Sequence, residues 1–129
     1  MTELPIVWQR LVSDEGKTCD RCGATQTELN RAVKLLQTSL RPLDIDPVLE
    51  TRAIDDATFR SDPSLSNRIL IGGKPMEDWL NADVGASRCC SVCGDAECRT
   101  VELGDTTFET IPERLIVRAA LIAAAELLE

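Results

Sequence analysis

The sequence predicts a single α/β domain, residues 1–129, with a cysteine-rich loop and an extra β-hairpin before its C-terminal helix. Branched apolar runs typical of strands alternate along the chain with segments of helical periodicity. The 129 residues, 43% of them hydrophobic, suffice for one core, and no linker or low-complexity tract divides them. Four of the six cysteines lie within the ten residues from Cys89 to Cys98, which show neither strand nor helix pattern.

The first third of the chain predicts a strand, a cysteine pair and a helix. Residues 5–12 are dense in branched and aromatic side chains, which predicts the first strand. After the CDRCG motif, Thr25 and Glu28 match the T-x-x-E capping box, and the apolar residues that follow recur at helical spacing. This pattern predicts a helix over 26–40, which Pro42 ends.

The middle of the chain predicts two further strands. Residues 47–54 are partly β-branched and predict the second strand, after which Asp55 caps a brief helical turn. Residues 68–71 predict the third strand, and the Gly-Gly pair that follows suits a tight hairpin turn. Residues 74–80 fit either the hairpin partner of the third strand or a short helix.

The last third of the chain predicts a loop, a hairpin and a helix. The cysteine-rich loop is expected to span residues 85–98. TVEL and TTFET flank Gly104 and Asp105, which predicts the extra hairpin. Pro112 then opens a long alanine-rich helix over 115–128, because the first helical turn tolerates proline.

This order of elements is that of a thioredoxin-like fold. In that topology the second strand is parallel to the first, the third runs back, and the fourth returns toward the end where the CxxC loop emerges. If residues 74–80 form the fourth strand, the loop over 85–98 reaches the same edge as Cys19 and Cys22. We therefore expect the two cysteine groups to converge, an expectation that weakens if residues 76–80 are helical.

Composition excludes several classes of function. The chain contains no histidine and no tyrosine, so neither can act as a general acid or base. A formal net charge of −8 opposes binding to nucleic acids and to anionic membranes. No nucleotide or flavin site is evident, because Gly72-Gly73-Lys74 lacks the GxxxxGK spacing of a phosphate loop. The N-terminal residues lack the features of a signal peptide, which predicts a cytoplasmic, reducing environment.

The cysteines predict thiolate chemistry, and a metal site is the first hypothesis. Two CxxCG motifs supply Cys19, Cys22, Cys90 and Cys93, four sulfurs that could surround zinc tetrahedrally. Their long separation in the chain requires that the fold bring the two motifs together. The predicted function is therefore a small metal–thiolate protein, for zinc or another thiophilic metal, in metal handling or detoxification.

Other assignments of the cysteines stay open. A local site would use Cys89, Cys90, Cys93 and Cys98, and Cys89 with Cys98 could instead hold a second soft ion. The alternative function is a thiol–disulfide oxidoreductase with Cys19 and Cys22 as the reactive pair, resolved by Cys89 or Cys90. The partners are then a metal ion or a protein that exchanges electrons or metal with this one.

The motifs also resemble a known family. WQRL, CDRCG, SNRILI with its following glycines, and CCSVCGDAECRT followed by a hairpin and an IPERLI helix resemble an uncharacterised cysteine-rich prokaryotic family. The resemblance implies a thioredoxin-like fold and no established activity. The chain differs from thioredoxins in two ways: Cys19 and Cys22 precede the expected helix cap at Thr25, and SNR replaces the cis-proline before the third strand.

Overall fold

The computed structural model describes residues 2–12, 20–88 and 97–128, and for residues 20, 21, 88 and 98 only the backbone. The strands are β1 (Thr2–Leu11), β2 (Ile45–Ile54), β3 (Arg68–Ile71), β4 (Lys74–Pro75), β5 (Asp83–Arg88), β6 (Glu97–Leu103) and β7 (Thr106–Phe108). The helices are α1 (Asp20–Ser39), α2 (Asp56–Ser61), α3 (Met76–Leu80) and α4 (Glu113–Leu127). The prediction of a mixed α/β chain is confirmed.

The main sheet has the strand order β2-β1-β3-β4. β1 and β2 are parallel and in register from Thr2 opposite Ile45 to Leu11 opposite Ile54. β3 is antiparallel to β1, and β4 is antiparallel to β3. The turn between β3 and β4 holds Gly72 and Gly73 at positive φ, 61° and 82°, a conformation that glycine adopts at little cost.

The core lies between this sheet and the packed pair of helices α1 and α4. Alternate residues of β1, such as Ile6 and Trp8, are fully buried, because successive side chains of a strand point to opposite faces. The apolar stripe of α1 and the alanines of α4 cover them. Among the described residues, no helix has both the length and the apolar character needed to cross a membrane.

The first helix begins earlier than the prediction of 26–40, since α1 starts at Asp20. The sequence pattern was misleading because Gly23 lowers helix propensity and Thr25 with Glu28 imitates a capping box. Burial outweighs propensity here, because Cys22 and Thr25 lie inside the molecule, 2% and 0% exposed.

Residues 74–80 combine the two alternatives: a two-residue strand, β4, leads directly into the helix α3. The alternative in which residues 74–80 form one fourth strand is therefore wrong. The expected convergence of the two cysteine groups was based on that alternative. Trp79 in α3 donates a hydrogen bond from Nε1 to the carbonyl of Ile71 at 2.8 Å, which ties the helix to β3.

A second sheet, in the order β5-β6-β7, replaces the single predicted hairpin. The pairing of β6 with β7 confirms that hairpin, but β5 pairs with β6 from Asp83 opposite Glu102 to Arg88 opposite Glu97. The prediction of a loop over residues 85–98 is thus wrong at both its ends. Glycine is needed at position 85, since a Cβ there would lie 2.7 Å from Thr100 Oγ1.

Candidate functional site

Cys22 is the candidate site residue whose side chain the structure describes. It is the third residue of α1 and is 2% exposed. The first turn of a helix carries backbone N–H groups without intrahelical acceptors and the positive end of the helix dipole. The helix N-terminus favours a thiolate at this position, whereas burial of the sulfur opposes it.

Ser66 provides a polar contact to the Cys22 sulfur. Its Oγ lies 3.7 Å from Cys22 Sγ and accepts a hydrogen bond from the backbone N–H of Leu11 at 2.9 Å. Either atom can be the donor in this contact, because the hydroxyl keeps its proton and a second lone pair after it accepts from Leu11. A serine hydroxyl that donates to sulfur stabilises the thiolate form, since hydrogen bonds to a charged form favour it.

Asn67 fixes the backbone next to Ser66. It is buried, adopts a positive φ of 59°, and its Oδ1 accepts a hydrogen bond from Trp8 Nε1 at 3.2 Å. Asparagine tolerates this left-handed conformation better than most residues. The described part of the chain contains no cis peptide bond, so a trans Ser-Asn segment stands before β3.

Thr25 and Glu28 bind the backbone at the start of α4, close to the C-terminal end of the chain. Thr25 Oγ1 accepts a hydrogen bond from the N–H of Ile111 at 3.1 Å, and Glu28 Oε1 accepts one from the N–H of Glu113 at 3.2 Å. Glu113 is the first residue of α4, whose N–H lacks an intrahelical acceptor. The predicted capping box therefore holds the start of α4 rather than the start of α1.

The structure describes little or nothing of the other predicted site cysteines. Cys19, Cys89, Cys90 and Cys93 lie outside the described residues. Cys98 lies in β6 opposite Ser87, and its side chain is outside the description. Within the described ranges, no three cysteine or carboxylate side chains are arranged to hold a metal ion, so the metal assignments stay predictions.

The segment that carries Ser66 also contacts β6. Arg99, which follows Cys98, donates a hydrogen bond from Nη1 to the carbonyl of Ser64 at 2.6 Å. Its Nη2 lies 3.0 Å from Oε2 of Glu77, and both side chains of this ion pair are buried. Sequence reasoning gave Ser66, Asn67 and Arg99 no role in the site, although they lie in the SNRILI and CCSVCGDAECRT motifs, because their contacts join residues distant in the chain.

The observations so far define a class: a mixed α/β protein with a buried thiol in the first turn of a helix. The chain belongs to the family described as Domain of unknown function (DUF2703), which it matches over residues 4–120. It is 42% identical over 114 residues to an uncharacterized protein of Archaeoglobus fulgidus, a match that covers 88% of this chain and 82% of that protein. No solved structure matches the chain.

Proposed function

We propose that the protein is a thiol–disulfide oxidoreductase of thioredoxin-like fold that uses Cys19 and Cys22. One observation carries the proposal: α1 begins at Asp20, so the CxxC motif coincides with a helix N-terminus. The sequence had suggested that the CxxC motif precedes the helix, unlike in thioredoxins, and this difference does not apply to a helix that begins at Asp20. Helix N-termini are where low thiol pKa values and reactive thiolates are found.

The strand arrangement supports the thioredoxin-like part of the proposal. β2 is parallel and β3 antiparallel to β1, which are the directions expected from the order of elements along the chain. α1 follows the carboxyl end of β1, which places its first turn at the edge where ligands meet open α/β sheets.

The two cysteines take different roles in the proposed reaction. The Cys19 thiolate attacks a disulfide of the substrate, forms a mixed disulfide and releases one substrate thiolate. Cys22, which is 2% exposed, then attacks the Cys19 sulfur and releases the second substrate thiolate. Two electrons pass to the substrate, its sulfurs take up two protons, and a Cys19–Cys22 disulfide remains for an external dithiol to reduce.

A metal–thiolate site is a second proposal, and one contact favours it. The short segment from Ser64 to Ser66 touches Cys22 on one side and Arg99, the neighbour of Cys98, on the other. This common contact supports a location of the two cysteine groups near one another, despite the absence of a long fourth strand. Zinc or another thiophilic ion on Cys19, Cys22, Cys90 and Cys93 is the form we propose.

The redox proposal is tested by insulin reduction and by the pH dependence of alkylation. We expect one thiol of the reduced protein to react with an apparent pKa under the ~8.5 of free cysteine, and Cys19→Ser to abolish both this reaction and insulin reduction. Ser39→Ala, at the far end of α1, serves as the matched control. Two ordinary thiols, with undiminished reduction by Cys19→Ser, would contradict the proposal.

The metal proposal is tested on the same reduced protein. Native mass spectrometry before and after chelation, with a count of reactive thiols at each stage, is expected to show one bound ion whose removal exposes four thiols. Six reactive thiols in a folded protein that takes up no zinc or copper(I) would exclude it.

A further inference from the structure

The face of α4 that points away from the core is apolar. Half of the eight exposed large hydrophobic side chains among the described residues lie at its C-terminal end: Leu121, Ile122, Leu127 and Leu128. Single exposed leucines are common on protein surfaces, whereas a contiguous group of them marks an interaction surface. Residues 119–128 carry a single charge, that of Glu126, so little in this segment favours contact with water.

α4 is therefore apolar on two opposite faces. Its inner face packs into the core through buried side chains between Leu115 and Ala124. On the other face a stripe recurs at intervals of four, four and three residues, which is the spacing of a seam between two helices: Val117, Leu121, Ala125 and Leu128. We call this stripe, together with Ile122, the outer face of α4. A helix that is apolar all round is normally buried, which indicates that another protein surface covers the outer face.

The charges beside the outer face are complementary to those of a second copy. Arg118 and Glu126 lie four residues before and after Ile122 on one side of α4, and both are exposed. The structure places neither of them in an ion pair with any residue that it describes. A copy of α4 that runs antiparallel about a two-fold axis at Ile122 places its Glu126 opposite Arg118 and its Arg118 opposite Glu126. A parallel copy in register would place like charges together.

The length of the outer face suits a reversible dimer. α4 has 15 residues, so a pair of these helices is ~22 Å long. Two helices of that length bury on the order of 1,000 Å² in total, which is the lower end of the range for specific interfaces. Interfaces of that size include weak and transient ones, so we expect the dimer to dissociate on dilution.

We propose that the outer face of α4 joins two copies of the chain into an antiparallel, two-fold symmetric dimer. Leu121 and Ile122 of both copies pack at the axis, which removes their side chains from water. Two ion pairs between Arg118 of one copy and Glu126 of the other flank the axis and set the register. This dimer goes beyond the proposed function, and it forms whether Cys22 serves redox chemistry or metal binding.

Sedimentation equilibrium of the full chain tests the proposal. The buffer contains a thiol reductant and a chelator, so that neither a disulfide nor a metal ion links two copies. Between about 1 and 500 µM, we expect the average mass to rise from that of one chain to that of two. A mass of one chain throughout overturns the proposal and makes a different protein the occupant of the outer face. A mass above two chains also overturns it, because a two-fold contact is closed.

A matched pair of leucines locates the contact. Leu121→Glu places two carboxylates beside the axis and is expected to raise the Kd at least tenfold, to about 100 µM or more for a parent Kd of about 10 µM. Leu43 lies in the turn before β2 and is 44% exposed, against 45% for Leu121, so Leu43→Glu should leave the Kd unchanged. Circular dichroism checks that both variants are folded. Equal effects of the two substitutions, or no effect of Leu121→Glu in a folded protein, overturn the proposal.

Charge reversal tests the antiparallel register. Arg118→Glu and Glu126→Arg each place like charges opposite one another in the dimer, and each is expected to raise the Kd about fivefold at low salt. The two substitutions in one chain restore opposite charges and should return the Kd to within about twofold of the parent. Both positions are exposed, so these variants decide the matter if Leu121→Glu fails to fold. A double variant that dimerises no better than the single variants overturns the proposal.

Discussion

The main sheet and the second sheet are held in the fold by different kinds of contact, apolar in the first and largely polar in the second. The main sheet is covered by apolar side chains of α1 and α4, and the buried residues of β1 are apolar: Leu4, Ile6, Trp8 and Leu11. Among its described side chains, the second sheet contributes one fully buried apolar residue, Val101, but two buried polar ones, Arg99 and Thr100. Apolar burial is non-directional, whereas an ion pair fixes orientation, so the two sheets should respond differently to substitution.

The largest effect is expected from breaking the buried ion pair. Arg99→Met leaves the Glu77 carboxylate buried without its partner, which should lower the free energy of unfolding by about 3–5 kcal/mol in urea titrations. Arg52→Met, which removes an ion pair with both side chains more than half exposed, is the control and should cost about 1 kcal/mol or less.

A double variant sharpens this prediction. Arg99→Met together with Glu77→Leu removes both charges and should recover most of the lost stability, because an apolar pair of similar volume replaces the buried ion pair. If the double variant is as unstable as Arg99→Met alone, the contact depends on packing and the contrast between the sheets is wrong.

A comparable effect is expected in the apolar core, from a pair of neighbouring leucines in α1. Leu36 is fully buried and Leu35 is 47% exposed. Leu36→Ala should cost about 2–5 kcal/mol in urea unfolding, while Leu35→Ala should stay within about 0.5 kcal/mol of the parent. Similar losses at both positions would mean that the exposed face of α1 is covered.

A smaller effect is expected where α1 meets α4. Thr25→Val keeps the shape of the side chain but leaves the buried N–H of Ile111 without its acceptor, at a cost of about 1–3 kcal/mol. Thr27→Val, exposed on the same helix, should be close to neutral. Hydrogen exchange at Ile111 should accelerate in the first variant alone, and unchanged exchange would show that the bond is dispensable.

The smallest effect concerns the cap of α2. Hydrogen bonds from the side chain of Thr58, and then from its backbone N–H, lower the pKa of Asp55. A lowered pKa means that the cap stabilises the folded state above the unfolded pKa, and that this contribution is lost as pH falls through the folded pKa. An NMR titration should give a lower midpoint for Asp55 in the protein than in a peptide of residues 53–62, and equal midpoints would contradict this.

Local patterns in the sequence predicted the main sheet well. The branched residues of β1 and the glycines between β3 and β4 determine strand and turn through their own conformational preferences. The start of α1 was missed because Thr25 and Glu28 satisfy a distant helix. β5 was missed because DVGASR has no apolar alternation and forms through the close fit of Gly85 against β6.

The candidate site was predictable only in part. The CxxCG spacing singled out Cys22, since paired cysteines at this spacing suggest thiolate chemistry. Ser66 reaches that sulfur only because β3 pairs with β1 and because Asn67 turns the backbone before β3. Such positions follow from strand pairing, which single-residue patterns do not encode.

The contacts of Thr25 and Glu28 with the start of α4 have a consequence for the newly made chain. Thr25 and Ile111 are 86 residues apart, and ribosomes add roughly 5–20 residues per second, so the bond must wait roughly 4–17 s after Thr25 is made. During that interval the turn next to Cys22 lacks its final partner. The thiol is therefore present in the nascent chain before its surroundings are complete, and it is exposed to any oxidant that reaches the ribosome.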